Sequence, residues 1–502
     1  MLYSGAAEIS LGPCMSVSSP AAESAPPPPR WARFFDLICL LLIAVAAIVA
    51  GWGGFRERVN GVRVALTSPY RILIAAAVVA ALRHAIVPRP AIVSDMPRRI
   101  RAAWQTPAAA IARLAFIGTR PAMLFVGYFA VVTFGYSNGR PPLRFVDNEF
   151  LNLQGKWDTA WYMSVVTDGY RYKTRDVNEQ QNIVFFPALP VAIRVIGRFF
   201  GGSSPAFLWG GTMVVLAAFF WALIYIYRLA REFIDDEDSA RWAIWVTATY
   251  PFALYFSALY SESFFLLGSA GAIYHFRRRE FVKAAAWGLL VGLTRPNGCF
   301  LSIALALIAI TPWLPGWLKG GIGGPDDREP GKRSVAALIP AMLSAAAPGI
   351  GVLIYSAFIW NLTGDPLAWA EGHAAWGRQY NGLLPLAIKY YGYMAESGPY
   401  IFTKVLPFDT LNGLGALFVI FAAFPVWRRF GLPYAVFILI NILPPLAAGG
   451  LFSTGRFSAV LFPAFLWFAS VVPRRHRPAW IGSFMAVQAL NAALFYTWHE
   501  MF

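Results

Sequence analysis

The sequence contains little cysteine, histidine or charge, and each shortage excludes a class of protein. Its 502 residues include only 3 cysteines and 5 histidines. Cys14, Cys39 and Cys299 lie far apart without CxxC spacing, so the sequence supports neither a disulfide framework nor a zinc site. Only 14% of the residues are charged, whereas soluble domains carry about 25%. The chain is therefore not an ordinary soluble enzyme.

Acidic residues are also scarcer than basic ones. The chain has 26 Asp and Glu against 42 Lys and Arg, which gives a formal net charge of +16. On a soluble chain this excess would suggest nucleic-acid binding. In a chain that is 58% hydrophobic, it instead suggests cytoplasmic loops of a membrane protein, where Lys and Arg are enriched. We therefore expect membrane lipids, and no nucleic acid, among the partners.

The composition divides the chain into three segments. Residues 1–33 are rich in Pro, Ala and Ser and predict a disordered cytoplasmic leader, within which Met15 is an alternative start. Residues 34–112 predict a transmembrane hairpin followed by a basic loop. Residues 113–502 predict the main transmembrane domain.

Long apolar runs indicate an all-α polytopic membrane protein. Crossing a bilayer takes about 20 mainly apolar residues, and the sequence predicts about 13 such helices, with a range of roughly 11 to 13. The runs are 34–53, 70–87, 114–136, 205–227, 241–258, 262–276, 283–293, 298–313, 335–361, 411–427, 432–448, 457–472 and 479–498. Residues 185–200 are short and contain Arg194 and Arg198, so we interpret them as a helix lying in the membrane interface.

With this assignment, most basic clusters fall on the cytoplasmic side. They include Arg89, Arg98, Arg99, Arg101, Arg113, Arg228, Arg231, Arg277, Arg278, Arg279, Lys319, Arg328, Lys332, Arg333, Arg428, Arg429, Arg474, Arg475 and Arg477. The exceptions are Arg56, Arg58 and Arg63, which fall in an external loop. Two long loops, residues 137–204 and 362–410, are also predicted to be external, and long loops tend to carry function or to be disordered.

The first long loop contains an aspartate among aromatic residues. Asp158 follows Trp157, and Tyr162 comes four residues later, so a helix would place the carboxylate and the phenol on one face. Trp161 and Tyr170 lie nearby in the sequence. The alternative interpretation is an interfacial aromatic belt with a solvated aspartate. Spacing alone does not choose between a catalytic carboxylate and this belt.

Further polar residues fall at the external ends of predicted helices. Glu262, between Ser261 and Ser263, suits a helix N-terminal cap, which is compatible with a substrate contact. Arg295 and Asn297 lie in the segment TRPNG. Pro296 and Gly298 explain the turn there, but they do not explain an arginine at the non-cytoplasmic end. A basic residue at that end suggests an anion-binding site.

The second long loop and the last external turn add three candidates. His373 and Arg378 lie in GHAAWGR, and Arg456 lies in STGRFS. A lone histidine is more often structural or solvated than functional. The external arginines suit a phosphate, the aromatic residues suit sugar rings, and the carboxylates suit a hydroxyl that needs a base.

The order of several short motifs resembles the PIG-V family of mannosyltransferases, specifically its bacterial members. The motifs are WDTAWYMSVVTDGY, FFPALP, YSES, RPNG, GDPLAW and AAWGR. The motifs are individually weak but fairly specific in this order, and the resemblance covers roughly residue 113 to the C-terminus. This chain departs from the family in having Lys156 where Arg is usual, VVTDGY at residues 165–170 where the family has IAxxGY, and Pro296 where Ser is usual before Asn297 and Gly298.

The resemblance implies a GT-C glycosyltransferase fold and a site on the periplasmic face of a bacterial inner membrane. In eukaryotes the family adds the second mannose to the glycosylphosphatidylinositol precursor. The implied reaction is inverting transfer of a hexose, here mannose, from a polyprenyl-phosphate donor to a lipid or glycan acceptor. Asp158 best fits the essential acidic residue of this fold, and Trp157, Trp161, Tyr162, Tyr170, Glu262, Arg295, Asn297, His373, Arg378 and Arg456 are the expected substrate-binding residues.

The expected reaction requires no cofactor. The sequence lacks a GxGxxG or P-loop motif, which agrees with a donor that is already activated by its lipid phosphate. A divalent metal is compatible with Asp147, Glu149 and Asp158, although their irregular spacing is poor evidence for one. A polytopic transporter and a glycolipid-binding protein without turnover are the alternative functions. The predicted spans contain few acidic residues and no convincing internal repeat, which argues against a transporter. Pro251, Pro348 and Pro444 interrupt spans and keep that alternative open.

Overall fold

The computed structural model describes most of the chain between residues 29 and 500. The described ranges are 29–52, 55–59, 62–66, 68–87, 101–102, 104–139, 143–173, 176, 178–319, 338–404 and 406–500. Residues 1–28 of the predicted leader lie outside the described residues. Six of the predicted cytoplasmic basic residues also lie outside them, namely Arg89, Arg98, Arg99, Arg328, Lys332 and Arg333.

The described chain is mainly α-helical. The helices are α1 (Arg30–Trp52), α2 (Pro69–Ile86), α3 (Pro107–Phe134), α4 (Thr159–Asp168), α5 (Ala188–Phe199), α6 (Ser204–Phe233), α7 (Glu237–Thr249), α8 (Glu262–Arg277), α9 (Phe281–Gly292), α10 (Leu301–Ile310), α11 (Gly316–Lys319), α12 (Leu338–Thr363), α13 (Ala368–Glu371), α14 (Leu383–Ser397), α15 (Tyr400–Lys404), α16 (Pro407–Phe430), α17 (Leu432–Gly449), α18 (Thr454–Ser458), α19 (Phe462–Val471) and α20 (Arg477–Tyr496). Short 3-10 turns join several of these helices, including Ala253–Phe256 between α7 and α8 and Pro296–Phe300 between α9 and α10.

Eight helical stretches of the described chain are long and apolar enough to cross a membrane. They are Pro69–Ile86, Pro107–Phe134, Ser204–Phe233, Pro296–Trp313, Leu338–Thr363, Pro407–Phe430, Leu432–Gly449 and Arg474–Tyr496. The predicted all-α, multi-pass membrane architecture is therefore confirmed. The predicted number of spans is not, because several predicted runs contain helices that are too short. For example, α8 has 16 residues, which is about 24 Å against a hydrocarbon core of about 30 Å.

A β-hairpin interrupts the helical pattern where the sequence analysis expected only an external loop. Strands β1 (Phe55–Val59) and β2 (Val62–Leu66) pair antiparallel, with Arg58 opposite Arg63. The sequence carries a signal for this hairpin, since Asn60-Gly61, a dipeptide typical of hairpin turns, stands between Val59 and Val62. The three exceptional arginines of the topology thus belong to strands.

The chain divides into two compact units. The first comprises residues 1–46 and 68–101, and the second comprises residues 47–67 and 102–502. Within the first unit, Arg83 of α2 is buried and pairs with Asp36 of α1 at 2.8 Å. All of the candidate site residues belong to the second unit. The sequence-based boundaries at residues 34 and 113 stay predictions.

Helix α5 covers most of the run that we interpreted as interfacial. Its 12 residues correspond to about 18 Å, which is too short to cross the hydrocarbon core of about 30 Å. Its inner face buries Leu189 and Ile193. It packs closely on α6, since a Cβ added at Gly197 would lie 2.2 Å from the Phe207 ring.

The two ends of α8 carry different groups of charged residues. At the C-terminal end, Arg277 Nε contacts Glu232 of α6 at 2.7 Å. Arg277 also donates to the hydroxyl of Tyr434 at the start of α17. Glu262 begins the helix at the other end. Arg277 and Arg278, two of the basic residues that the topology assigned to the cytoplasmic side, both contact Glu232. They lie about 24 Å along α8 from Glu262.

Candidate active site

Asp158 lies at the turn into α4, and its neighbour Trp157 anchors that turn. Trp157 has a φ of 49°, a left-handed conformation that is uncommon for a bulky residue and often accompanies a functional site. Its indole Nε1 donates to the carbonyl of Phe495 at 3.1 Å. Its ring centroid lies 4.6 Å from that of Trp498. These contacts near the C-terminus hold the turn, so the predicted substrate-binding residue Trp157 positions Asp158.

Asp158 is the first member of an ion-pair network. Arg456 Nη1 lies 2.9 Å from Asp158 Oδ2, and Arg456 Nε lies 3.2 Å from Glu262 Oε1. Arg295 Nη2 contacts the same Glu262 oxygen. Four residues from α4, α8, α18 and the turn after α9 thus form one connected chain of alternating charge.

Burial differs sharply along this network. The Glu262 side chain is fully buried, whereas 26% of the Asp158 side chain is exposed. A buried carboxylate is unfavourable unless it is paired, and Glu262 has an arginine on each side. Burial alone would lower the pKa of Arg456, but the nearby Glu262 and Asp158 carboxylates raise it overall. Glu262 therefore compensates the two arginines, while Asp158 stays accessible.

Ser261 does not cap α8 in the manner that the sequence suggested. It occupies the N-cap position but makes no side-chain capping bond. Instead, its hydroxyl accepts from Arg295 Nε at 2.8 Å and from the Tyr162 hydroxyl at 3.2 Å. Burial raises the pKa of Tyr162 to about 12, so this phenol remains a donor. Ser261 therefore fixes the orientation of Arg295.

Arg378 extends the positive charge beside the network. Its guanidinium lies 5.0 Å from the centroid of the Phe457 ring and 5.3 Å from that of Phe452. Burial, and secondly the charge of Arg456, lower the pKa of Arg378 to about 10, and Asp158 opposes this effect. Arg378 is therefore still protonated at neutral pH, in an environment that would gain from an anion.

The five charged residues do not balance. Two carboxylates, Asp158 and Glu262, accompany three arginines, Arg295, Arg378 and Arg456. Arg295 Nη1 is buried and has no hydrogen-bond partner within the described parts of the chain. A site with one excess positive charge and an unused buried donor is suited to a phosphate group, which guanidinium donors bind strongly.

The other predicted residues lie around this network, and not all of them reach it. Trp161 stacks on Phe185, with centroids 6.0 Å apart, and lies edge-on to Trp376 at 5.5 Å. The Tyr170 hydroxyl donates to the Phe185 carbonyl at 2.7 Å, at the far end of α4 from Asp158. The structure thus separates an aromatic cluster from the charged one.

Asn297 and His373 make contacts that are structural in kind. Asn297 Nδ2 donates to Asn441 Oδ1 of α17 at 2.9 Å. His373 Nδ1 lies 2.8 Å from the Trp369 carbonyl, and burial lowers the pKa of His373. A neutral ring that donates to a carbonyl fits the structural interpretation of His373 that the sequence left open.

Two residues that position parts of the site, Tyr260 and Arg120, were not among the candidates from the sequence. Tyr260 accepts a hydrogen bond from the Asp158 backbone N–H at 3.1 Å, although it lies inside the quoted YSES motif. Arg120 of α3 is buried and donates to the carbonyls of Ala248 and Ala253 at 2.5 and 2.6 Å. It thereby holds the break between α7 and α8. The available signal was an arginine inside an otherwise apolar run.

The described part of the chain contains no cluster of side chains that would hold the metal considered from the sequence. No group of three or more His, Cys, Asp or Glu side chains there is placed to hold an ion. Glu149 instead contacts Arg144 and the Tyr136 hydroxyl. Whether the protein needs a metal stays an open prediction.

Fold and site together define a multi-pass helical membrane protein with a charged, anion-attracting site at one end of its helices. The family model described as Mannosyltransferase (PIG-V) matches residues 143–310, which is about a third of the chain. The matched region contains Asp158, Glu262 and Arg295 but not Arg378 or Arg456. The resemblance is thus confirmed over these residues, and it supports a membrane glycosyltransferase.

Structural comparison adds a remote similarity. The chain is similar to the oligosaccharyltransferase of Archaeoglobus fulgidus, solved with a tethered acceptor peptide. The identity is 11% and the TM-score 0.38, over 80% of this chain and 56% of that one. Comparison with curated proteins gives no match. The match spans little more than half the length of the oligosaccharyltransferase. The activity and substrates of the present chain are therefore matters for proposal.

Proposed function

We propose that the protein transfers a hexose, mannose in the first instance, from a polyprenyl-phosphate donor to a hydroxyl group of a lipid or glycan acceptor. The reaction would take place on the non-cytoplasmic face of the membrane and invert the configuration at the sugar C1. The observation that carries this proposal is the accessible Asp158 carboxylate, fixed within an arginine network that has one excess positive charge.

Asp158 is the proposed general base. Its Oδ2 is held by Arg456 at 2.9 Å, and its backbone N–H is held by Tyr260, so the carboxylate has a defined orientation. The acceptor hydroxyl would give its proton to this carboxylate as its oxygen forms a bond to the sugar C1. The bond from C1 to the donor phosphate oxygen breaks at the same time.

Arg295 and Arg378 are the proposed phosphate ligands. Arg295 offers the buried, unused Nη1 donor, and Arg378 lies near Arg456 and Asp158 in a buried, positively charged environment. Negative charge grows on the phosphate as the sugar leaves. Fixed donors in a partly dehydrated site stabilise such charge more strongly than water does. Glu262 keeps the arginines in place but is itself too buried to meet an acceptor.

The sidedness of the reaction is proposed from the charge distribution. Arg277 lies at the opposite end of α8 from Glu262, and basic residues favour the cytoplasmic side. The site would therefore face the periplasm of a bacterial inner membrane. A donor with a long lipid chain can reach this position from within the bilayer.

Purified protein with radiolabelled polyprenyl-phosphate mannose and membrane-lipid acceptors tests the activity. Because base catalysis contributes about 10²- to 10⁴-fold, Asp158→Asn should lower the transfer rate by a factor in this range while the protein still inserts. Glu179→Gln is the control, since Glu179 lies in the same loop, is exposed and pairs with Lys173 at 3.9 Å, away from Asp158.

Two outcomes would contradict the proposal. Activity of Asp158→Asn close to that of the unmodified protein would eliminate Asp158 as the base. Retention of the donor without transfer to any acceptor would favour a glycolipid-binding protein. Parallel reactions with and without EDTA determine whether a divalent metal takes part.

A further inference from the structure

A cavity lies beside α4, at the opposite end of the helix from Asp158. It has a volume of about 250 Å³ and lies between the C-terminal end of α4, helix α5 and helix α12. Asp168 lies ten positions after Asp158, so the cavity lies about 15 Å along the helix from the candidate base. Tyr162 and Phe185 pack between the two places, with centroids 5.1 Å apart. The cavity is therefore not part of the charged network.

The lining combines apolar side chains with one arginine. The apolar part includes Val165, Tyr170, Val191 and Phe358, and the cation is Arg194. Arg194 Nε is buried and has no hydrogen-bond partner among the residues that the structure describes. A buried guanidinium donor without a partner is costly, and a ligand with acceptor oxygens would satisfy it.

The charges around this cavity favour an anion. Asp168 also lines it, but Arg171 Nη2 lies 3.4 Å from the Asp168 carboxylate and offsets its charge. Arg198 lies one turn along α5 from Arg194. Burial, and secondly the charge of Arg198, lower the pKa of Arg194. An anion bound here would relieve both effects.

The position of the cavity favours a lipid as the source of that anion. Phe358 lies near the C-terminal end of α12, which is one of the candidate membrane spans. Trp360 on the same helix is 61% exposed, and Phe199 at the end of α5 is 83% exposed. Exposed apolar side chains at the end of a span indicate contact with the bilayer near its headgroups. The volume is below the roughly 300 Å³ at which pockets for larger ligands begin, so it suits a headgroup.

We propose that this cavity binds the phosphate of a membrane lipid, with Arg194 on the phosphate oxygens and the start of the lipid chain against Val191 and Phe358. The phosphate could belong to a polyprenyl phosphate or to a bulk phospholipid. This inference does not depend on the proposed sugar transfer, because binding can be measured without turnover.

Equilibrium binding of ³²P-labelled farnesyl phosphate to the purified full-length protein in neutral detergent tests the inference. Arg194→Gln should weaken binding at least tenfold, since a charge-assisted contact to phosphate is lost. Arg198→Gln is the matched control on the same helix and outside the lining, and should change binding no more than about twofold. Val191→Trp fills the cavity without changing its charge and should also abolish binding.

Competition identifies the source of the phosphate. Displacement of the label by phosphatidylglycerol indicates a bulk phospholipid, and displacement only by longer polyprenyl phosphates indicates a substrate-type lipid. Binding that is the same in Arg194→Gln and Arg198→Gln overturns the site. Displacement by inorganic phosphate at the same concentration as by farnesyl phosphate overturns its assignment to a lipid. The charged network would bind the same probe through Arg295 and Arg378, so Arg194→Gln and Arg198→Gln are also compared in the Arg378→Gln background. The loss caused by Arg194→Gln should persist there. A loss that disappears in that background assigns the binding to the network and overturns the cavity.

Discussion

Replacing Glu262 by glutamine should destabilise the protein more than any other single charge removal in the site. Glu262 Oε1 contacts Arg456 Nε at 3.2 Å and also contacts Arg295, and its side chain is fully buried. Glu262→Gln keeps the size and an acceptor oxygen but removes the charge that compensates two buried guanidinium groups. Breaking a buried ion pair by removing one partner costs about 3–5 kcal/mol. We expect the free energy of unfolding to fall by about this amount.

Unfolding by SDS in mixed micelles, followed by tryptophan fluorescence, measures this change. Glu179→Gln is the matched control, because Glu179 is exposed and its Lys173 partner lies 3.9 Å away; such pairs contribute about 1 kcal/mol at most. In the double variant Glu262→Gln, Arg295→Gln, part of the loss should be recovered, because one of the unpaired charges is gone. A change below about 1 kcal/mol in Glu262→Gln would refute the compensating role.

Three further predictions concern packing, pH and substrate binding. Gly197→Ala should cost about 1–3 kcal/mol because its Cβ would meet the Phe207 ring, whereas Gly392→Ala meets open space and should not destabilise α14; thermal unfolding compares them. Burial lowers the pKa of Lys156 from 10.5 to about 8. Between pH 8 and pH 10.5 the unfolded state therefore binds more protons than the folded state. The free energy of unfolding should rise over this pH range in the unmodified protein, relative to Lys156→Met. Arg378→Gln should raise the KM for the polyprenyl-phosphate donor about tenfold or more, with a smaller change in kcat; a change confined to kcat would argue against phosphate binding.

Much of the site could be predicted because topology alone brings its residues to one side. Asp158, Glu262, Arg295, Arg378 and Arg456 are separated by up to 298 positions. They meet because each lies at the same end of an apolar run or in a loop attached to that end. Alternating apolar runs predict which ends share a side, and this order grouped the residues even though the predicted number of spans was not confirmed.

Side-chain partners could not be predicted in the same way. Topology places Trp157, Tyr162 and Tyr170 in one loop, but their orientations depend on local packing. Trp157 turns toward Trp498 near the C-terminus, whereas Tyr170 packs against α12, 5.5 Å from Tyr355. The exact pairing of Arg456 with both carboxylates likewise depends on the geometry of α18, which no sequence spacing encodes.

The predicted cap at Glu262 shows how a local signal can be correct and incomplete. A serine followed by glutamate does begin α8, and a carboxylate in the first turn suits the helix dipole. The Ser261 hydroxyl nevertheless binds Arg295 and Tyr162 instead of the helix backbone. The local rule identifies the helix start, but the long-range arginine decides how its side chains are used.

The charge of the network suits both the donor before the proposed reaction and the leaving phosphate after it. With Asp158 ionised, three arginines and two carboxylates leave one positive charge, which matches the single negative charge of a polyprenyl-phosphate sugar. When Asp158 accepts the acceptor proton, the network gains a second positive charge. The departing polyprenyl phosphate is then a monoester with a charge of about −1.5 to −2. Transfer of the proton to Asp158 therefore keeps the site close to neutral as charge develops on the phosphate, which explains why a base and phosphate ligands would share one network.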